Sequence, residues 1–331
     1  MESRWSDVEA ERHRERWAGR WGEDLALRAY SARLLGADPS LVLHGGGNTS
    51  LKGTTRDLFG DERPALFVKA SGRDLAAAGP ADHVALDLAA LRRLVAEVAV
   101  LDDPAAARAL ALLRFDPEAA APSIEAAVHA VLPGRFVDHT HADAVLALTN
   151  RPDGEAVVRA ALGDEVLVLP YTEPGHPLAR AVAAALAERP AARAMVWLRH
   201  GVVTWGDGAR ESYERMVELV ARAEEYLAGE ARRRRGAASG SGPGREPRDE
   251  GGAAAEGTRA GAGAEAASAA PPEVVAGRLA ALAPALRGLL SPPTGDPDRP
   301  WRRVVLQAAT DAATIALLAE PGMRERAVTP P

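Results

Sequence analysis

Short apolar runs alternate with helix-period segments through the first 235 residues, and then the alternation stops. This pattern constrains the fold most, because strand-length apolar runs need a sheet and helical stripes need a layer to cover. Strand-like runs fall at residues 41–44, 66–69, 136–139, 166–169 and 195–198. Helical patterns cover 23–35, 84–98, 123–132, 178–187 and 209–232. Interleaved in this way, they predict a layered α/β domain over residues 1–235. Beyond the basic cluster Arg232–Arg235 the composition changes, and 236–270 is almost wholly Gly, Ala, Ser, Arg and Glu. Such a segment cannot bury enough to offset its ordering entropy, so 236–271 reads as a disordered Gly/Ala-rich linker. Two more helical patterns, 274–290 and 301–318, make 272–331 a C-terminal helical segment.

Several function classes drop out early. No stretch approaches the roughly 18 apolar residues that a membrane helix needs. The first 21 residues are charged throughout, unlike a secretion signal or transit peptide, which makes the cytoplasm the expected location. A net charge of −6 gives no electrostatic case for nucleic acid. The chain has no cysteine, so any metal must be held by His, Asp or Glu.

The strongest chemical signal is DHTHAD, residues 138–143. His139 and His141 end an apolar run, and alternate residues of an extended strand share a face, so both imidazoles can grip one cation. By itself the pair also reads as two polar residues at a strand edge. His200 closes the run AMVWLR before Gly201, at a strand end where α/β proteins build sites. Three histidines are what a catalytic zinc commonly takes, with a fourth position open for substrate. Glu125 follows Pro122 and Ser123, a typical helix opening, where a carboxylate either steadies the helix dipole or serves as a base beside the metal. His129, four residues on, is expected behind the ligands or in the packing.

Two Gly-containing turns suit a phosphate. LHGGGNTSLKG (43–53) offers backbone amides, yet it matches neither the Walker pattern GxxxxGK[ST] nor GxGxxG. VKASGRDL (68–75) repeats the theme, with Ser71 and Gly72 as donors and Lys69 or Arg73 as charge.

In this order the elements GGGNTS, KASG, PSIE, HTH and RHG resemble the class II aldolase/adducin family. The wording of PSIEAAVHAVLPGRFVDHTHADAVLALTN and WLRHGVVTWG is most similar to the aldolase portion of bifunctional rhamnulose-1-phosphate aldolase/short-chain dehydrogenase proteins. The resemblance spans roughly residues 26–227. It implies a three-layer α/β/α domain with a central, largely antiparallel sheet, assembled as a homotetramer. It also implies Zn2+, or another divalent metal, on His139, His141 and His200, and Glu125 as the acid/base. Substrate phosphate would sit on Asn48, Ser71, Gly72 and Ser123.

The implied reaction is cleavage of a ketose 1-phosphate, rhamnulose 1-phosphate for the nearest relatives, into dihydroxyacetone phosphate and lactaldehyde. A sugar-phosphate epimerase or dehydratase on the same metal site, and a non-catalytic adducin-like interaction module, remain the alternatives. Ile124 stands where many members have a second serine, and Tyr171 does not cleanly match the tyrosine that some members lend from a neighbouring subunit. The bifunctional proteins continue into a dehydrogenase domain about where this sequence ends, so it reads as a fragment, a truncated product or a stand-alone aldolase.

Overall fold

The computed structural model describes residues 1–43 and 46–239. The chain divides into two units, Met1–Pro243 and Gly244–Pro331. The expected linker from residue 240 on and the expected C-terminal helical segment lie outside the described residues. Two helices open the chain, α1 (Asp7–Trp21) and α2 (Glu23–Gly36). A hairpin of β1 (Asn48–Arg56) and β2 (Glu62–Lys69) follows, then β3 (His83–Asp87), α3 (Leu88–Glu97) and α4 (Asp103–Leu112). Next come α5 (Ala126–Val131), β4 (Phe136–Thr140), α6 (Asp143–Thr149) and α7 (Gly154–Leu162). The domain closes with β5 (Val166–Leu169), α8 (His176–Glu188), β6 (Ala194–Trp197), β7 (Gly201–Gly206) and α9 (Ala209–Ser239).

The strands form one 7-stranded sheet in the order β3-β2-β1-β4-β7-β6-β5. Among the described residues every neighbouring pair is antiparallel except β5–β6. Successive side chains of each strand serve opposite faces. On β4, Phe136 joins Leu25, Leu51 and Ala209 on the α2–α9 face, while Val137 joins Val128, Leu178 and Met195 on the α5–α8 face. Helices α6, α7 and α9 cover the first face, and α3 covers the second around Leu66, Val68 and Leu91. The result is the expected α/β/α layering, with β4 central and buried along its whole length.

Three expected elements need correction. Residues 41–43 of the expected strand form a turn and coil, because Leu41 and Val42 are buried in side-chain clusters without a strand partner. The expected helix 84–98 is a strand followed by a helix. Val84 and Leu86 point inward at a period of two, and the Asp87 side chain caps the helix by accepting from the Ala90 N–H at 2.9 Å. The helix expected from residue 123 begins at Ala126, with Glu125 at the N-cap position. Pro122 instead bridges to Ala70. At the other end, α9 runs on through residues 236–239, past the expected domain limit at 235.

Candidate metal and acid–base site

The site lies where the ends of β1, β4 and β7 meet at the middle of the sheet. Antiparallel register places Asn48 of β1 opposite His139 of β4, and Val203 of β7 opposite the same histidine. His141 follows β4 by one residue, and His200 sits in the tight turn between β6 and β7. Arg199, just before it, takes φ 61°, a left-handed conformation that a non-glycine residue enters at a cost and that concentrates at functional sites.

One ring nitrogen from each of His139, His141 and His200 lies within 4.8 Å of the others. His139 Nε2 stands 3.1 Å from His141 Nε2. The His139 Nδ1–H donates to the Val202 carbonyl at 3.1 Å, and since a carbonyl only accepts, a neutral His139 keeps its Nε2 lone pair for the cluster. Burial holds His139 well below the ordinary histidine range, helped by His141 and His200. Burial likewise lowers His141. It also lowers His200, against the pull of Glu125. Three neutral imidazoles therefore face one point. The indole of Trp197 packs beside them, 4.8 Å from the His139 ring and 5.1 Å from the His200 ring.

Glu125 completes the arrangement. Although it occupies an N-cap position, its carboxylate caps nothing and turns to the histidines instead. Oε2 is 3.5 Å from His139 Nε2, and Oε1 is 3.3 Å from His200 Nε2. The Asn48 Nδ2–H donates to Oε2 at 2.6 Å, whereas buried Oε1 has no hydrogen-bond partner. Burial raises the Glu125 pKa, opposed by His200, the Asn48 hydrogen bond and Lys69. A buried carboxylate oxygen without a donor, converging with the ring nitrogens of three imidazoles, suits a divalent cation such as zinc. The residues fit that ion.

The remaining expected residues fall into two groups. Asn48 and Ser123 touch, Nδ2 to Oγ at 3.2 Å, and both are buried. Ser71 and Gly72 are exposed, in a turn tied to the same corner by Ser71 N–H to Ala121 carbonyl at 2.8 Å. Gly72 has φ 70°, which suits glycine. Lys69 is buried beside this turn and donates to the Arg73 carbonyl at 2.6 Å. Burial lowers its pKa against the attraction of Asp74 and Glu125. Arg73 points outward and pairs with Asp82 at 3.3 Å. Ile124 is 36% exposed, and a methyl added at Gly175 would stand 3.4 Å from its Cγ1. Tyr171 is 50% exposed. The sequence reading passed over Ser50 and Trp197. Only the alternation of β1, which puts Asn48 and Ser50 on one face, would have pointed to the serine.

Residues 27–227 match the family model for the class II aldolase and adducin N-terminal domain. A Bacillus subtilis (strain 168) protein named uncharacterized oxidoreductase YuxG is 33% identical over 198 residues, 60% of this chain and 29% of that protein. The chain thus matches less than a third of that relative's length. The solved N-terminal class II aldolase domain of a conserved protein from Thermoplasma acidophilum is 33% identical, with a TM-score of 0.61, covering 69% of this chain and 99% of that one. L-fuculose-1-phosphate aldolase from Thermus thermophilus is 21% identical, with a TM-score of 0.41, over 66% of this chain and 98% of that one.

Proposed function

This chain belongs to the class II aldolase and adducin family, and from that premise we propose that it is a metal-dependent aldolase cleaving a ketose 1-phosphate. The observation that carries the reading is the unpartnered Glu125 Oε1, 3.3 Å from His200 Nε2, beside three neutral imidazoles. His139, His141 and His200 would hold the metal. A divalent ion bound there supplies Lewis-acid polarisation of the substrate carbonyl.

The rest is the work of the chain's own residues. Asn48, Ser123, Ser71 and Gly72 bind the phosphate end, with Lys69 contributing positive charge at the same corner. Glu125 handles the proton at the carbon next to the carbonyl. When the carbon–carbon bond breaks, the hydroxyl proton of the aldehyde half passes to solvent water and Glu125 delivers one to the carbon left on the ketone half. A raised carboxyl pKa suits this task, because the acid form is then populated nearer neutral pH. Rhamnulose 1-phosphate as substrate, lactaldehyde as product, zinc as the metal and a homotetramer as the assembly are finer parts of the same reading. They rest on motif resemblance.

The test pairs metal analysis with a rhamnulose 1-phosphate cleavage assay on wild type and His141→Ala. We expect about one zinc per chain, lost in the variant together with lactaldehyde release. Metal without cleavage would move the substrate or the reaction class. No metal in reconstituted wild type would overturn the mechanism.

A further inference from the structure

His129 lies behind the base and touches neither the three histidines nor the expected phosphate corner except through Asn48. Its side chain is completely buried. Nδ1 meets Ser50 Oγ at 2.7 Å, and Nε2 meets Asn48 Oδ1 at short range. Burial, with the charges of Lys52 and Arg28, lowers its pKa to about 3, so the ring is neutral and carries one proton.

The direction of each bond then follows. Glu125 Oε2 accepts from Asn48, so the amide nitrogen faces the carboxylate and the amide oxygen faces His129. An amide oxygen only accepts, so the ring proton is on Nε2. Nδ1 is then a lone pair and takes the Ser50 hydroxyl proton. The chain runs one way: Ser50 donates to His129, His129 to Asn48, and Asn48 to Glu125 Oε2.

We propose that His129 is the positioning residue for the base, locking the Asn48 amide so that Oε2 is held and only Oε1 is presented to the metal and substrate. The inference rests on the aldolase reading for its consequence in turnover, but not for its geometry. Without His129 the Asn48 amide has no donor on its oxygen and can turn that oxygen toward the carboxylate, releasing Glu125 from one orientation. Ser123 does not substitute, because it touches Asn48 at Nδ2, on the Glu125 side. Lys52 does not either, since its ammonium donates to the Gly134 carbonyl at 2.8 Å.

Two measurements test this on the full chain. In metal-free wild-type protein, nitrogen NMR of labelled histidine should place the His129 proton on Nε2 with Nδ1 unprotonated. The Nδ1–H tautomer or an imidazolium would reverse the chain and overturn the proposal. In the zinc-loaded protein, His129→Leu should lower kcat by roughly ten- to a hundredfold, the range seen when groups orienting a site are removed. Zinc content should hold, and KM should rise less than kcat falls, since Asn48 also serves the phosphate end. His129→Gln keeps a donor toward Asn48 and an acceptor toward Ser50, and should recover most of the loss. Equal damage in both variants, or zinc lost together with kcat, would reduce His129 to a packing residue. A wild type inert to ketose 1-phosphates would overturn the functional reading instead, and the tautomer would still decide the positioning role.

Discussion

Gly201 has no room for a side chain: a methyl group would stand 2.4 Å from the Thr140 carbonyl oxygen, 3.0 Å from His139 Cε1 and 3.1 Å from His141 Cδ2. Two of those atoms belong to expected metal ligands, so the smallest substitution separates packing from chemistry at one point. Gly201→Ala should cost about 1–3 kcal/mol of stability through overpacking and should also weaken zinc binding, read by calorimetric titration. Unchanged affinity would mean that the turn shifts without moving the rings. A second residue-scale property is acid sensitivity. Burial, then the charge of Arg28, lowers His83 to about 4 in the fold. Unfolded, a histidine titrates near 6.5. Above that pH neither state takes a proton, and the group has no linkage effect. Between about 6.5 and 4 the unfolded chain gains a proton that the native His83 refuses, so stability falls with pH at up to about 1.4 kcal/mol per unit. His129, lowered to about 3, acts in the same direction. Urea unfolding of metal-free protein should therefore give lower midpoints at pH 5 than at pH 7.5. His83→Gln should flatten part of that slope, and an identical slope would place the effect elsewhere.

At the scale of elements, α2 is joined to β4 by a buried ion pair one residue before His139. Arg28 Nη2 meets Asp138 Oδ1 at 2.5 Å, and both side chains are fully buried. The guanidinium also donates to Ser31 Oγ at 2.7 Å and to the Val137 carbonyl at 3.3 Å. Taking two charges out of water costs about what their attraction returns, but removing one partner strands the other. Asp138→Ala should destabilise by about 3–5 kcal/mol in urea, while Arg28→Met with Asp138→Leu should come close to wild type. If the single variant costs no more than the double, the pair has no such role. The sequence revealed β4 and concealed this partnership for one reason. Phe136–His139 reads as a strand because both of its faces are buried, whereas which helix pairs with Asp138 depends on contacts 110 residues apart. Strand β1 was illegible on composition, since NTSLKGTTR is polar and carries a glycine. On the face toward α5 its residues are polar because Asn48 and Ser50 hydrogen-bond to His129 rather than pack against apolar groups. Strand β3 reads as part of a helix because its apolar residues run straight into α3, with Asp87 serving as both strand end and N-cap.

For the molecule as a whole, what was legible is what repeated: the alternation of strands and helices, the His-x-His pair, and the order of the five motifs. What was not legible is orientation, such as the Glu125 carboxylate turning away from its helix, because an N-cap glutamate reads the same in sequence whichever way it points. The compact unit Met1–Pro243 contains all the strands and helices described above. Every residue assigned to the site or to its hydrogen-bond chain lies between Asn48 and Val203. If the site owes its geometry to that unit alone, a protein shortened to residues 1–243 should keep the zinc stoichiometry and apparent affinity of the full chain. Zinc binding lost while the helix and sheet signals persist would refute that. The outcomes separate cleanly, because imidazoles held by a sheet register and by the three-residue turn 198–200 stay in place as long as β1, β4 and β7 remain paired.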